Sequence, residues 1–364
     1  MKKETKKQNI LVGMSGGVDS TMAALLLKKQ GFHVLGATMK IWDNSLKFKP
    51  SKDGCYGPGE RQSILEAKKA AKRIGIPHCV IDLKREYKKE VLDYFKNEYL
   101  KGRTPNPCIV CNSKIKFGYL LKFVQMSGIK FEKFATGHYA RIEFNKKRNR
   151  YILKKGIDET KDQSYFLYRL TQDQLKNIIF PLGEYRKSEI KNQAKKFGYK
   201  EFAKKQESQN FIECDNYEVL FKNKFKKGNI IDVNGKFLGK HNGIVFYTVG
   251  QRRGLDVGGL KEPFHVISIN VKKNEIIVGP KKLLLSKTMT VKDLVWNSDK
   301  GAGQKIRCQA KIRFGAPSVE CEVILKKSNM ADVKFTKAQF AIAPGQSAVF
   351  YKKDEVLGGG IIAK

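Results

Sequence analysis

The chain has 364 residues, of which 41% are hydrophobic, and a formal net charge of +37. This apolar content excludes a disordered chain, and no apolar run approaches the ~18 residues of a membrane-spanning helix, which excludes an integral membrane protein. The positive charge favours a polyanionic partner, with nucleic acid ahead of a membrane surface. A lysine-rich surface that binds no ligand would give the same charge.

Strands and helices alternate along the first part of the chain. The pattern predicts strands at residues 9–13, 32–39 and 79–82, and helices at residues 21–30 and 61–75. A loop over residues 101–112 is expected to precede a further helix from Lys114, and another strand ends before Thr136. Such alternation predicts a doubly wound, mostly parallel sheet whose strand ends share one ligand-binding edge.

The pattern changes after about residue 205, where glycines and turn dipeptides become frequent. Short strands are expected at residues 230–233 and 244–247, and period-2 apolar segments dominate after Val266. These segments predict an antiparallel β-barrel or sandwich. We therefore expect an N-terminal α/β domain at residues 1–205, a small central domain at 206–265 and a C-terminal β-barrel domain at 266–364.

A glycine-rich loop separates the first strand from the first helix. Its glycines allow backbone N–H groups to surround a phosphate at a helix N-terminus, Ser15 and Ser20 can donate hydrogen bonds, and Asp19 can help to hold Mg²⁺. An ordinary strand-to-helix turn is the alternative. The loop consists of Gly13, Met14, Ser15, Gly16, Gly17, Val18, Asp19 and Ser20. It resembles the pyrophosphate loop of the ATP-pyrophosphatase superfamily (adenine nucleotide alpha hydrolase-like), which implies ATP as a substrate.

Two cysteines, Cys108 and Cys111, lie in the predicted loop before Lys114. Pro105 and Pro107 stiffen this loop, and basic neighbours are expected to favour the thiolate by lowering the thiol pKa. The pair is consistent with a redox dithiol, half of a metal site, a nucleophile that handles sulfur, or a structural role. Because the short apolar segment at residues 9–13 is no signal peptide, we expect a cytosolic, cytoplasmic protein with few or no disulfides.

Taken together, six segments in order resemble the bacterial tRNA-specific 2-thiouridylase family (MnmA type). They are residues 13–20, 102–117, 135–141, 161–167, 241–255 and 341–351. The resemblance implies an ATP-pyrophosphatase domain, a small central domain and a C-terminal β-barrel. It also implies adenylation of uridine 34 in the tRNAs for Lys, Glu and Gln, followed by sulfur transfer to C2. The partners implied are the tRNA anticodon stem-loop and a sulfur donor, either a cysteine desulfurase or a sulfur-carrier protein.

The same resemblance implies roles for individual residues. Met39 and Gly137 would join the glycine loop in binding ATP, and Cys111 would be the catalytic cysteine. Three residues would surround the target base: Asn106, Pro107 and Cys108. Contacts to tRNA would come from His138, Lys161, Asp162, Gln163, Arg313 and Gln346. For His138, a hydrogen-bonded histidine at a strand end is the alternative.

The chain departs from the family pattern at the second catalytic cysteine. The family carries that cysteine in a Ser-x-x-Ile-Cys-Phe segment; here, counted from Ser208, Ile212 takes its place and Cys214 follows two residues later. Cys214 is either catalytic in a reshaped loop or a solvent-facing bystander. Cys55 lies in a Gly/Pro loop expected near the ATP edge.

Cys55, Cys108 and Cys111 could therefore supply three ligands to a [4Fe–4S] cluster, and a dithiol relay is the alternative. The other three cysteines, Cys79, Cys308 and Cys321, are expected to be packing residues. Two further functions stay open: another adenylating ATP pyrophosphatase, such as an amidotransferase, and a basic RNA-binding protein without catalysis. The 241–255 and 341–351 segments argue against the first, and the intact glycine loop argues against the second.

Overall fold

The computed structural model describes residues 8–199, 210–215, 217–221, 225–258, 262–297 and 303–363. The expected domain boundary after residue 205 and the residue Ser208 lie outside these ranges. Contacts divide the chain into two compact units. The first comprises residues 1–91, 108–215 and 354–356, and the second comprises residues 92–107, 216–353 and 357–364.

Eight α-helices occur within the described residues. They are α1 (Val18–Lys29), α2 (Glu60–Ile74), α3 (Lys84–Tyr87), α4 (Asp93–Leu100), α5 (Pro107–Val110), α6 (Leu120–Met126), α7 (Gln172–Lys176) and α8 (Lys187–Lys196). π-helical turns occupy Lys88–Leu92 and Cys111–Tyr119, and 3-10 turns occupy Ser164–Leu167, Tyr217–Leu220, Ile244–Phe246 and Lys281–Leu284. None of the helices in the described ranges is both long enough and apolar enough to cross a bilayer.

Nineteen strands occur within the same ranges. The strands of the first half are β1 (Asn9–Gly13), β2 (His33–Lys40), β3 (Gly54–Tyr56), β4 (His78–Asp82), β5 (Lys133–Ala135), β6 (Ala140–Asn145), β7 (Arg150–Lys155), β8 (Ile178–Ile179) and β9 (Asn210–Ile212). The later strands are β10 (Gly228–Asp232), β11 (Phe237–His241), β12 (Phe264–Asn270), β13 (Glu275–Pro280), β14 (Leu285–Trp296), β15 (Lys305–Lys311), β16 (Val319–Lys326), β17 (Met330–Phe340), β18 (Ser347–Lys352) and β19 (Glu355–Ile362).

The first unit is built on a five-stranded sheet with the order β4-β2-β1-β5-β8. Every pairing in it is parallel, which confirms the predicted α/β class. β1 lies at the centre, and its core residues Ile10, Leu11 and Val12 are fully buried. Because parallel strands end at the same edge, the segments that follow β1, β2 and β5 come together there.

Two smaller strand pairs complete the first unit. β6 and β7 form a hairpin whose turn carries basic residues, and Asn149 takes a left-handed conformation in that turn (φ 46°). β3 and β9 pair in parallel, with Gly54 opposite Asn210 and Tyr56 opposite Ile212. This second pairing joins the loop that carries Cys55 to the segment that carries Cys214.

The second unit contains two antiparallel-rich sheets. β14, β17, β16, β15, β18 and β19 form a sheet that closes through pairing of β14 with β19, which confirms the predicted barrel. Cys308 and Cys321 pair across β15 and β16 and are buried in the barrel core, as expected. The other sheet has the order β11-β10-β13-β12. The predicted strand at residues 244–247 is wrong, because Ile244–Phe246 forms a 3-10 turn after Gly243, whose φ is 150°.

Candidate active site

The glycine loop joins β1 to α1 in a tight and well-anchored turn. Gly16 has a φ of 76°, and a Cβ at this position would lie 2.4 Å from the carbonyl oxygen of Ser63 in α2. A residue other than glycine would therefore be both strained and crowded there. Gly17 precedes the helix in an extended conformation, so the first N–H groups of α1 have no intrahelical acceptors. This arrangement suits a phosphate group.

Hydrogen bonds hold the loop from two sides. The hydroxyl of Thr38 donates to the carbonyl oxygen of Met14 at 2.8 Å, and Nε2 of His78 lies 2.8 Å from the same hydroxyl. Since the hydroxyl hydrogen is used by Met14, we assign the His78 nitrogen as the donor. Burial lowers the pKa of His78, and Lys68 adds to the shift, so this histidine is neutral. On the helix side, Ser20 accepts a hydrogen bond from the backbone N–H of Ser15 at 3.1 Å.

Asp19 forms an ion pair with a buried lysine, which the sequence did not predict. Both of its carboxylate oxygens lie 2.7 Å from Nζ of Lys187, and the hydroxyl of Tyr139 donates to Oδ1 at 2.9 Å. Lys187 is only 6% exposed. The residues are 168 positions apart along the chain, so only an unusually placed lysine at the start of α8 could have hinted at the pairing. With both oxygens bound to a cation, Asp19 is not open to Mg²⁺ in this arrangement.

The two other residues assigned to ATP lie at the same sheet edge. Met39 stands near the end of β2, where it pairs with Ile81 of β4. Gly137 follows β5, and a Cβ there would lie 2.6 Å from the carbonyl carbon of Asp19 and 2.7 Å from the backbone nitrogen of Ser20. The loop after β5 thus packs directly on the first turn of α1, which requires glycine at this position.

Cys108 and Cys111 do not lie in the predicted loop. The helix begins at Pro107, so Cys108 is within α5 and Cys111 begins the π-helical turn. Proline is well suited to the first position of a helix, because the N–H that it lacks has no acceptor there. The pair is therefore held on consecutive helical turns, and both side chains are half-buried.

The expectation of lowered thiol pKa values is also wrong. Burial raises the pKa of Cys108 and of Cys111 to about 12, and the positive charge of Lys116 offsets only part of this effect. Neutral thiols are consequently the resting forms. A positively charged neighbour in the sequence did not reveal how strongly the surrounding protein disfavours a thiolate.

Cys55 belongs to the same group of thiols, whereas Cys214 has different neighbours. The charge of Cys55 raises the pKa of Cys108 and of Cys111, and Lys116 acts on all three thiols. Cys55 is exposed to solvent. The surrounding protein nevertheless raises the pKa of Cys55 by desolvating its thiolate. The pKa of Cys214 is raised by burial and shifted by Lys52 and Asp215. Cys214 is buried, so the expectation of a solvent-facing bystander is wrong.

The three thiols do not form a ready metal site. Across the described ranges, no group of three or more His, Cys, Asp or Glu side chains is arranged to hold a metal ion. The donor set of Cys55, Cys108 and Cys111 therefore does not fit a [4Fe–4S] cluster in this arrangement. Cys79, expected to be a packing residue, is half-buried, and its sulfur donates to the carbonyl oxygen of Gly36 at 3.7 Å.

The residues after β5 and β7 are strongly held by local contacts. Nδ1 of His138 lies 2.6 Å from the hydroxyl of Thr136, and burial lowers the pKa of His138 well below its ordinary value. Asp162 is buried and accepts hydrogen bonds from the N–H groups of Gly156 and Ser164. Gln163 accepts from the backbone N–H of Tyr139 at 3.0 Å. In this structure Asp162 and Gln163 shape their own segment, and Lys161, which is half-buried, precedes them.

The remaining predicted residues lie in the second unit. Gln346 donates from Nε2 to the carbonyl oxygens of Thr104 and Pro105 at 3.3 Å, so it ties residues 104 and 105 to the barrel. The backbone N–H of Asn106 lies 3.4 Å from the hydroxyl of Tyr94. Pro107 is the last residue of this segment in the second unit, and Arg313 is in the turn after β15.

A glycine substitution tests the contact between the loop after β5 and the start of α1. We expect Gly137→Ala to weaken ATP binding about tenfold or more, because its Cβ would displace the backbone of Asp19 and Ser20. Isothermal titration with ATP measures this. Gly239→Ala is the matched control, since Cγ1 of Val257, 3.8 Å away, is its nearest described neighbour. Equal ATP affinity of Gly137→Ala and Gly239→Ala would contradict the assignment.

The pH dependence of alkylation tests the raised thiol pKa values. With a pKa of about 12, the thiolate fraction of Cys111 and of Cys108 should rise about tenfold for each pH unit from 7 to 9. Iodoacetamide labelling followed by peptide mass spectrometry should show this rise without a plateau. Lys116→Met should slow labelling of these two cysteines and leave that of Cys79 unchanged. A plateau below pH 8 would mean that the thiol pKa values are low.

Three family models match the chain. The tRNA methyl transferase HUP domain matches residues 8–214, the tRNA methyl transferase PRC-barrel domain matches residues 221–280, and the Aminomethyltransferase beta-barrel domain matches residues 286–362. Among solved structures, NMN synthetase from Francisella tularensis aligns with 56% of this chain and 67% of its own, at 16% identity and a TM-score of 0.34. That likeness is too weak to bear on function.

Curated relatives match nearly the whole chain. The tRNA-specific 2-thiouridylase MnmA of Endomicrobium trichonymphae is 48% identical over 98% of this chain and 99% of its own length. The tRNA-specific 2-thiouridylase MnmA 2 of Thermoanaerobacter sp. (strain X514) is 46% identical over 98% of both chains. The corresponding MnmA 2 of Clostridium tetani is 43% identical over 98% of this chain and 99% of its own. The chain therefore belongs to the tRNA-specific 2-thiouridylase family.

Proposed function

We propose that the protein is an ATP-dependent tRNA-uridine 2-sulfurtransferase that converts uridine 34 in the anticodons of the tRNAs for Lys, Glu and Gln into 2-thiouridine. One observation carries the proposal: the first unit contains both an anchored phosphate-binding loop and a group of three mutually interacting thiols. Adenylation and sulfur transfer need these two features together. Relatives with this name match the whole chain, which adds support.

The activation step follows from the poor leaving group on uracil. The C2 oxygen attacks the α-phosphorus of ATP, the bond to the β-phosphate oxygen breaks, and pyrophosphate leaves. The glycine loop and the N-terminus of α1 would hold the phosphates, with Gly137 and Met39 closing the nucleotide site. Lys187, already neutralising Asp19, could move toward the negative charge that develops on the phosphates. Mg²⁺ stays a prediction, as a counter-ion that ATP phosphates commonly bring.

The transfer step uses the thiols of the first unit. A sulfur atom carried by a cysteine attacks C2 of the adenylated base, the C2–O bond breaks and AMP leaves. Cys111 is the proposed catalytic cysteine. Cys108 is proposed to lie beside the base with Asn106 and Pro107. The raised thiol pKa values fit a site that keeps its sulfur protonated until the substrate is bound.

The proposed binding partners of the protein are tRNA and a protein that donates sulfur. An anticodon stem-loop presents unpaired bases, and the +37 charge of the chain favours binding to its phosphates. We assign contacts with tRNA to His138, Lys161, Arg313 and Gln346, and to the segment shaped by Asp162 and Gln163. A cysteine desulfurase or sulfur-carrier protein would supply the sulfur. The division into domains at 1–205, 206–265 and 266–364, and action in the cytoplasm, belong to the same proposal.

The release of AMP distinguishes the proposed function from two others. A different adenylating enzyme would release AMP with another substrate, and a passive RNA-binding protein would release none. Formation of AMP and pyrophosphate that depends on the tRNAs for Lys, Glu and Gln supports the proposal. Tight tRNA binding without any AMP would favour the passive protein.

Removing the catalytic thiol should separate activation from sulfur transfer. We expect Cys111→Ala to lower 2-thiouridine formation by about 100-fold or more, because no other group would take over its sulfur chemistry. Release of pyrophosphate from ATP in the presence of tRNA, measured in the first turnover, should stay within about threefold of wild type, because adenylation precedes sulfur transfer. Cys79→Ala, which removes a thiol that donates within its own sheet, is the control. Normal amounts of 2-thiouridine from Cys111→Ala would refute the assignment.

The dependence of tRNA binding on salt tests the role of the positive charge. If about six to ten phosphates are contacted, affinity should fall by about 10³ to 10⁵ between roughly 50 and 200 mM salt. Fluorescence anisotropy with labelled tRNA measures this fall, and ATP affinity measured over the same range serves as the control. A flat response would show that most of the basic residues do not contact RNA.

A further inference from the structure

The position at which the family carries its second cysteine holds no thiol in this chain. Ile212 occupies it and is 0% exposed, packed at the end of β9. Cys214, two residues later, is 6% exposed, and the charges that shift its pKa are those of Lys52 and Asp215. The charges that raise the pKa of Cys108 are those of Cys55 and Cys111 instead. Cys214 is thus a poor substitute for the missing cysteine.

The strand register brings another thiol to the same segment. Because β3 pairs in parallel with β9, Tyr56 lies opposite Ile212 and Cys55 lies opposite Phe211. Side chains alternate along a strand, so Tyr56 and Ile212 share the buried face and Cys55 points to the other face. The charge of Glu213, just beyond β9, acts on Cys55. The chain therefore has no thiol at position 212 of β9 and presents one on the neighbouring strand, on the opposite face of the pair.

Cys55 also has the neighbours and the access that sulfur transfer requires. The charge of Cys55 raises the pKa of Cys108, of Cys111 and of the buried Tyr87 hydroxyl, and the charge of Lys116 acts on all three thiols, so Cys55 is within electrostatic range of both other cysteines. Cys55 is exposed, whereas Cys108 and Cys111 are half-buried. An incoming sulfur donor protein would reach an exposed thiol more readily than the other two.

Resting on the proposed function, we propose that Cys55 is the second sulfur-transfer cysteine and receives the sulfur that Cys111 later helps to release. A persulfide-bearing donor protein transfers its terminal sulfur to Cys55, which gives a Cys55 persulfide and leaves a thiol on the donor. The terminal sulfur attacks C2 of the adenylated uridine. The C2–O bond breaks, AMP leaves with the electron pair, and C2 is joined to Cys55 through a disulfide.

Release of the product then needs the second thiol. The thiolate of Cys111 attacks the Cys55 sulfur, the bond between Cys55 and the transferred sulfur breaks, and the electron pair remains on the sulfur at C2. This gives 2-thiouridine and a disulfide between Cys55 and Cys111. A dithiol reductant converts that disulfide back into two thiols before the next turnover. Lys116 is the cation placed to favour the thiolates in these steps.

A thiolation assay with three variants tests this assignment. The full-length protein, charged with persulfide by a cysteine desulfurase and cysteine, is mixed with tRNA and ATP without added reductant. We expect wild type to stop after one turnover with a Cys55–Cys111 disulfide, detected by peptide mass spectrometry, and to resume when dithiothreitol is added. In the first turnover, Cys55→Ser and Cys55→Ala should release pyrophosphate within about threefold of wild type, because adenylation precedes sulfur transfer, but should release about 100-fold less AMP and make about 100-fold less 2-thiouridine. Cys214→Ser, the matched control, should behave as wild type.

Each other outcome overturns the assignment in an identifiable way. Normal thiolation by both Cys55 variants, or loss of thiolation in Cys214→Ser with a Cys214–Cys111 disulfide in wild type, would return the role to Cys214. Iron and sulfide bound to anaerobically purified wild type, and absent from Cys55→Ser, would show that Cys55 is a cluster ligand instead of a persulfide carrier. No AMP from wild type would overturn the proposed function itself, and this inference with it.

Discussion

The cost of burying charge explains how the first unit is organised. Lys187 is almost completely buried, and its charge is tolerated because both oxygens of Asp19 lie 2.7 Å away. Removing the Asp19 carboxylate would leave the buried charge of Lys187 uncompensated, which costs about 3–5 kcal/mol in such settings. Asp19 stands in the first turn of α1, so the pair also joins the start of α8 to the phosphate-binding loop. The shape of the nucleotide site thus depends on an electrostatic contact between two residues that are 168 positions apart in the sequence.

The cost of burying charge also determines the protonation state of the thiols. Lys187 and Asp19 stay charged, whereas the thiols stay neutral. At Cys108 and Cys111 burial outweighs the positive charge of Lys116, and the two pKa values are raised to about 12. Protonated thiols are weak nucleophiles, and they also resist adventitious oxidation. A site of this kind gains reactivity only when something adds positive charge or removes protons. Lys116 supplies part of that charge in every case, which makes it the residue that sets the common reactivity of the cluster.

Much of the fold could be predicted from the sequence because its signals are local. Alternating strands and helices indicated the parallel sheet, and period-2 patterns indicated the barrel; both are confirmed. The glycine loop could be read because Gly16 needs a left-handed backbone and a close approach to Ser63. The partner of Asp19 could not be predicted, since nothing local marks a lysine 168 residues away. The thiol pKa values were mispredicted because a nearby lysine is visible in a sequence and the depth of burial is not.

Strand register explains how a catalytic group could change its position in the chain without leaving its site. Neighbouring strands of a sheet lie about 4.8 Å apart, which is less than the roughly 6.6 Å between side chains two positions apart on one strand. Cys55 on β3 therefore lies one strand away from position 212 on β9, although the two positions are far apart in sequence. The face matters as much as the strand, because Tyr56 and Ile212 point into the core and Cys55 does not. A comparison along the sequence finds a missing cysteine at position 212, whereas the paired strands show a thiol one strand away, on the face that points away from the core.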